Sequence, residues 1–95
     1  MTKDSNSYMQ MCLKLEGMDD LYLRIPTYWD AVKNQWIGFI KTPKTKRVIA
    51  ANAKNSFELQ NAFNIEMSKI MHESKEMGEE VFEMFKPLSY WEKNE

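Results

Sequence analysis

From Tyr8 onward apolar residues recur at every second position. Met9, Met11, Leu13 and Leu15 point one way; Gln10, Cys12, Lys14 and Glu16 point the other. A period of two puts alternate side chains on opposite faces of an extended chain, so this run reads as a half-buried strand. Gly17-Met18-Asp19-Asp20 supplies turn residues. Leu21, Leu23 and Ile25 then alternate with Tyr22 and Arg24 in a second strand, expected to pair with the first as an antiparallel hairpin. Pro26 lacks a backbone donor, which suits a strand end, an edge or a bulge. Two readings compete in TYWDAV, residues 27–32. Thr27 with Asp30 resembles a weak capping box and argues for a helical turn. Its aromatic and β-branched content argues for a strand, and that reading is preferred. Lys33-Asn34-Gln35 reads as a turn, WIGFIKTP (residues 36–43) as the clearest strand, and Lys44-Thr45-Lys46 as a further turn. RVIAANA, residues 47–53, is the return strand. In the third strand Trp36, Gly38 and Ile40 lie opposite Ile37 and Phe39.

The period then changes. Asn55 or Ser56 can cap a helix, and Glu58 stands three after Asn55, as a capping box requires. Leu59, Ala62, Phe63, Met67, Ile70 and Met71 recur at spacings of three and four, the stripe of an amphipathic helix. The stripe runs on through Ser74, Met77, Val81, Met84, Phe85 and Leu88, with Gly78 its weak point and Pro87 expected to end it near Phe85. Residues 56–86 therefore form one helix or two helices broken near Ser74 to Gly78. A single helix would be about 45 Å long and overhang strands of only ~20 Å. The expected fold is α+β and a single domain over residues 1–95. Residues 1–7 are polar and flexible, and residues 8–53 form an antiparallel meander of four to five strands. A helix over residues 56–72 packs on that sheet, a second helical segment follows, and residues 87–95 make an aromatic tail.

Composition narrows the functional classes. The 43% apolar and 28% charged fractions are those of a folded globular chain. No apolar run nears the ~20 residues of a membrane span, and MTKDSNSY has no signal-peptide core, so no membrane partner and a cytoplasmic location are expected. The single cysteine, Cys12, has no internal disulfide partner. Lysine outnumbers arginine eleven to two, and Met, Asn, Phe and Tyr are plentiful. Those residues have AT-rich codons, which fits a phage or another mobile element. The net charge of −1 gives no global polyanion signature. Locally, Lys41, Lys44, Lys46, Arg47 and Lys54 form a basic stretch, while Glu73, Glu76, Glu79, Glu80 and Glu83 form an acidic one. This pattern places a mildly basic end and an acidic end on the molecule.

Candidate chemistry is sparse. His72 lies beside the helical stripe with no nucleophile and orienting partner at a telling spacing, so no catalytic residue is assigned. One Cys and one His are too few for an ordinary zinc site, and the glutamates read as a solvated face, so no metal is expected. Three unclustered glycines make no phosphate cradle, and no cofactor is expected. The basic stretch, with Trp36, Phe39 and Tyr28 as stacking surfaces, is a candidate RNA or DNA site, although Arg, the better reader of bases and phosphates, is scarce.

The C-terminal segment carries more apolar side chains than one narrow stripe can hold. Val81, Phe82, Phe85, Leu88, Tyr90 and Trp91 are the candidate partner-binding residues, because aromatic anchors on an amphipathic helix are common hot spots. Two outcomes stay open: this surface serves a partner, or a second helix packs back and Trp91 plugs the domain end. In arrangement, YWDAV, KNQ, WIGFIKTP, RVIAANA and SFELQNAF resemble HicB-type antitoxin domains over about half the chain. The glycine-rich centre and DNA-binding tail of such domains are absent. The resemblance implies that a module of this shape can serve as a protein-blocking partner. The expected function is a non-enzymatic binding module that assembles with or occludes another protein. An inhibitor or anti-defence protein fits this description, and another copy of the chain, in a homodimer, is one possible partner. The alternative is a small nucleic-acid-binding protein using Lys41, Lys44, Lys46, Arg47 and Lys54.

Overall fold

The computed structural model describes residues 7–93; most of the polar N-terminal stretch, residues 1–6, and the last two residues of the tail lie outside the described residues. The alternating half of the chain forms four strands: β1 (Tyr8–Leu13), β2 (Leu21–Asp30), β3 (Gln35–Lys41) and β4 (Val48–Ala53). They pair antiparallel in the order β1-β2-β3-β4, a meander. The register sets Met11 opposite Leu23 and Ile40 opposite Ile49. Alternation then sorts the side chains. Met11, Leu23, Ile25, Ile40 and Ile49 enter the core on one face, with Gly38 among them. Gln10, Cys12, Arg24, Tyr28, Phe39 and Val48 occupy the other.

The preferred strand reading of residues 27–30 holds, and it removes the fifth strand. β2 runs unbroken through Pro26 to Asp30, so the helical capping box does not form. Asp30 Oδ1 instead accepts the N–H groups of Val32 (3.0 Å) and Lys33 (3.3 Å) and stabilises the turn into β3, with Asn34 at φ 60° closing it.

The helical half divides into α1 (Ser56–Met71), α2 (Lys75–Phe82) and α3 (Leu88–Lys93). Asn55 is the N-cap of α1, its side chain accepting the Glu58 N–H at 2.8 Å. His72 closes α1 from an exposed position, its Nδ1 2.7 Å from the Ser68 carbonyl. One long helix is thus excluded: the chain reverses at residues 72–74, and Ser74 caps α2 by accepting the Met77 N–H at 3.0 Å. Gly78 is not the bend. It lies inside α2, where a Cβ would stand 3.1 Å from the Met71 carbonyl oxygen, so it lets α2 approach the end of α1. α2 ends at Phe82, before the position where Pro87 alone would stop it, because residues 85–86 leave the helix to run beside β2. The expected aromatic tail is the short helix α3. No helix among the described residues is long and apolar enough to cross a membrane.

One buried carboxylate fastens α2 to the sheet. Glu80 is 4% exposed. It accepts the Lys44 N–H at 2.6 Å, the Thr45 N–H at 2.8 Å and the Thr45 hydroxyl at 3.1 Å, all from the turn between β3 and β4. The Thr45 hydroxyl also lies 3.0 Å from that of Thr42, which is itself fully buried and accepts the Arg47 N–H at 2.9 Å. Burial alone would raise the Glu80 carboxyl. Hydrogen bonds from the Thr45 N–H, the Thr42 side chain, the Lys44 N–H and the Thr45 side chain outweigh it and bring the group down to about 2. With Glu80 in place, Val81 and Phe85 reach the core and join Phe63, Met67 and Ile70.

Two predictions follow from this packing. The folded carboxyl of Glu80 titrates below its ordinary value of 4.5, so its stabilising contribution is complete above pH 4.5 and is lost as the pH falls toward 2. Thermal melts over that range will show a flatter acid dependence for Glu80→Gln, which will also melt lower than the parent at neutral pH. Chain ends provide the other check. Stopping after Pro87 removes only α3 and leaves a cooperative fold weakened by on the order of 1–2 kcal/mol. Stopping after Ser74 removes Glu80, Val81 and Phe85 and abolishes the cooperative transition seen by circular dichroism.

Candidate protein-binding groove

The sheet is not closed along its whole length. β2 pairs with β1 over Leu21 to Pro26 and with β3 only over Thr27 to Asp30. The Thr27 N–H bonds the Ser7 carbonyl on the β1 side, whereas Tyr22 gives its N–H and C=O to Lys86. Backbone groups alternate along a strand, so even-numbered residues of β2 face away from β1. Tyr28 pairs with Ile37, and the next even position toward the strand start is Pro26. It would stand opposite Phe39 and has no N–H to donate. The β2–β3 ladder stops where its donor is missing, and the strands part. Pro26 is therefore inside a central strand, yet it occupies a local edge.

The parted strands and the C-terminal segment enclose a groove of about 620 Å³. Tyr28, Phe39 and Pro26 line it from the outer face of the sheet, and Tyr90 and Trp91 from α3. The far wall is held by backbone. Tyr22 N–H donates to the Lys86 carbonyl at 2.7 Å and Lys86 N–H to the Tyr22 carbonyl at 2.8 Å, an antiparallel bridge in the place β3 has vacated. The same Tyr22 carbonyl accepts Trp91 Nε1–H at 2.6 Å, and Tyr90 stands edge-on to Trp91 with ring centroids 5.0 Å apart. Tyr28 is 53%, Phe39 40% and Tyr90 44% exposed. Three large rings thus remain open to solvent around one concavity, the usual form of a binding surface.

Its charged groups are mostly cations. Arg24, Lys41 and Lys86 line the groove against a single acid, Glu83. The Arg24 guanidinium lies 4.5 Å over the Tyr8 ring, and its Nε donates to Gln10 Oε1 at 2.9 Å. The Lys86 ammonium lies 5.8 Å over the Tyr90 ring. Glu83 Oε1 is 3.6 Å from Lys44 Nζ, just outside.

The six C-terminal candidates divide. Val81 and Phe85 are taken by the chain's own core and are closed to a partner. Phe82 and Leu88 are exposed, while Tyr90 and half-buried Trp91 form the groove wall. Of the two outcomes left open by the sequence, the packing back is seen: the segment folds onto the sheet with Trp91 against the core, while Phe82, Leu88 and Tyr90 stay exposed.

The basic stretch does not form one face, and the basic and acidic stretches do not form opposite ends. The β3–β4 turn and α2 meet, so Arg47 pairs with Glu73 through its two terminal guanidinium nitrogens and Lys44 with Glu83. Arg47 holds the Glu73 carboxyl below the usual range through the hydrogen bond, against the raising effect of burial. Lys46 sits in the turn at φ 60°, and Lys54 lies beyond the opposite end of β4. Only Lys41 of the five lines the groove. Trp36 is not beside them either; it packs edge-on against Trp29, 5.4 Å between centroids, on the other face of the sheet. Cys12 is exposed on the outer face of β1 and His72 closes α1 on the inner side, so the two are not paired. Among the described residues no group of three His, Cys, Asp or Glu is placed to hold a metal ion.

Arg24, Pro26 and Lys86 were not recognisable as site residues from sequence. The one signal was a proline within an alternating run that continues on both sides. No protein-family model, curated protein or solved structure matches this chain, so the likeness to HicB-type domains rests on arrangement alone.

The origin of the groove is testable. Pro26→Val restores the missing donor, so the β2–β3 ladder should extend by one pair. In hydrogen exchange, a slowly exchanging amide at position 26 is expected, with reduced solvent access to Phe39. A fast-exchanging amide there would show that the proline does not set the split.

Proposed function

We propose that this chain is a non-enzymatic binding module that assembles with or occludes another protein through the groove between β2, β3 and α3. The observation that supports this most directly is the gathering of Tyr28, Phe39 and Tyr90, all largely exposed, around one opening whose walls are fixed by backbone hydrogen bonds. The Tyr90 ring, held edge-on against Trp91, loses little freedom on association, which favours it as an anchor. The polar groups around the rings are three cations and the Glu83 carboxylate, with prolines and apolar side chains between, and no nucleophile paired with a base. Occlusion rather than turnover fits such a surface. An inhibitor or anti-defence role, in a phage or mobile element, fits the chain's size and composition.

Tyr28→Ser with Phe39→Ser in the full chain should abolish capture of the native partner while leaving the thermal melt nearly unchanged, since both rings are on the open face. Phe57→Ser with Ile65→Ser, on the exposed side of α1, should leave capture intact. The reverse pattern would move the interface to α1. Loss of self-association alone, read as a halved solution mass, would identify the partner as a second copy.

A further inference from the structure

The chemistry of the groove narrows the kind of partner it accepts, given that it is the contact surface just described. We infer that it takes an extended acidic segment of another protein, with apolar side chains alternating with carboxylates.

The charges carry this inference. On a chain of net charge −1, three cations and one acid meet at a single opening. Lys41 and Lys86 have no carboxylate partner among the described residues, whereas Glu83 already has Lys44. Lys41 and Lys86 therefore present positive charge to the groove that no described carboxylate neutralises. The surface between these cations is apolar: Tyr28, Phe39, Pro26 and Tyr90. An extended peptide turns successive side chains to opposite sides, so it can lay apolar groups on the rings while its carboxylates reach Lys41 on one wall and Lys86 on the other. The slot runs between two strands that have parted, which is the shape of extended chain. Its volume of about 620 Å³ admits a few residues only.

Basic residues among aromatics also suit single-stranded nucleic acid. The surroundings favour the peptide. A phosphate chain carries charge at every step and would run past Glu83 in the wall. A peptide can place a neutral or basic residue there.

The test uses the full-length protein and three probes of equal length: a peptide alternating Glu with Leu and Phe, its Lys-for-Glu counterpart, and oligothymidylate. The acidic peptide should bind, weaken as salt is raised, and weaken about tenfold in Lys41→Glu and in Lys86→Glu. The lysine peptide should not bind. Lys41 is exposed and Lys86 half-buried, and a melt confirms that the variants remain folded. No binding of the acidic peptide at millimolar concentration, or equal binding by the lysine peptide or by Lys41→Glu, overturns the inference. Tighter binding of oligothymidylate assigns the groove to nucleic acid instead. If the acidic peptide fails while Tyr28→Ser with Phe39→Ser still abolishes partner capture, the protein-binding reading stands and only the acidic chemistry falls. If capture also survives those changes, both fall.

Discussion

The architecture depends on a carboxylate buried without a cation. Glu80 sits in the last turn of α2 and is met by two backbone N–H groups and a hydroxyl of the β3–β4 turn. A buried charge is tolerated only where hydrogen bonds replace its water, and each neutral donor here faces the same requirement. Turn and helix therefore satisfy one another, and neither can be displaced without leaving polar groups orphaned. Because the turn belongs to β3 and β4, this pins α2 across one end of the sheet. Everything downstream follows from that placement. Val81 and Phe85 are brought over the core, the chain emerges beside the start of β2, and Lys86 meets Tyr22.

That meeting matters because β2 needs a neighbour there. A proline within a central strand leaves one ladder position without a donor, and the strands cannot stay joined past it. The C-terminal segment occupies the gap at its outer end only, giving Tyr22 its hydrogen bonds and leaving the stretch between Pro26 and Tyr22 as a slot. The groove is thus the unfilled part of a sheet defect. Its aromatic lining comes from the sheet face that α1 does not cover, together with α3, which Trp91 tethers to the Tyr22 carbonyl. Concavity, exposed rings and two lysines without a described carboxylate partner coincide there. The exposed Phe57 and Ile65 on α1 lie on a convex helix surface with no such enclosure.

Pairing between the turn and α2 also changes how the charges are read. Arg47 and Lys44 look available along the chain, yet both face glutamates of the segment that folds over them. Of the cations that line the groove, Lys41 from β3 and Lys86 from the C-terminal crossing face no carboxylate among the described residues.

Local rules were sufficient for β1, β3, β4 and the start of α1, whereas they left open that β2 runs on through Pro26. Alternation fixes which side of a strand is buried as soon as one face is covered, and Asn55 with Glu58 three residues on is a complete local instruction. The continuous stripe from Leu59 to Leu88 was ambiguous for a physical reason. Helical periodicity persists across a break whenever both helices turn the same face to one core, and Ser74 capping Met77 lacks the acidic third residue that marks a capping box. The Glu80 contact joins residues 35 positions apart, and the groove joins elements from both halves of the chain; no local pattern encodes either. Side-chain chemistry was thus legible position by position, whereas its juxtaposition was decided only when Glu80 drew α2 onto the turn. From that contact came which aromatics were buried, which cations were neutralised, and that the C-terminal segment walls the gap that Pro26 opens.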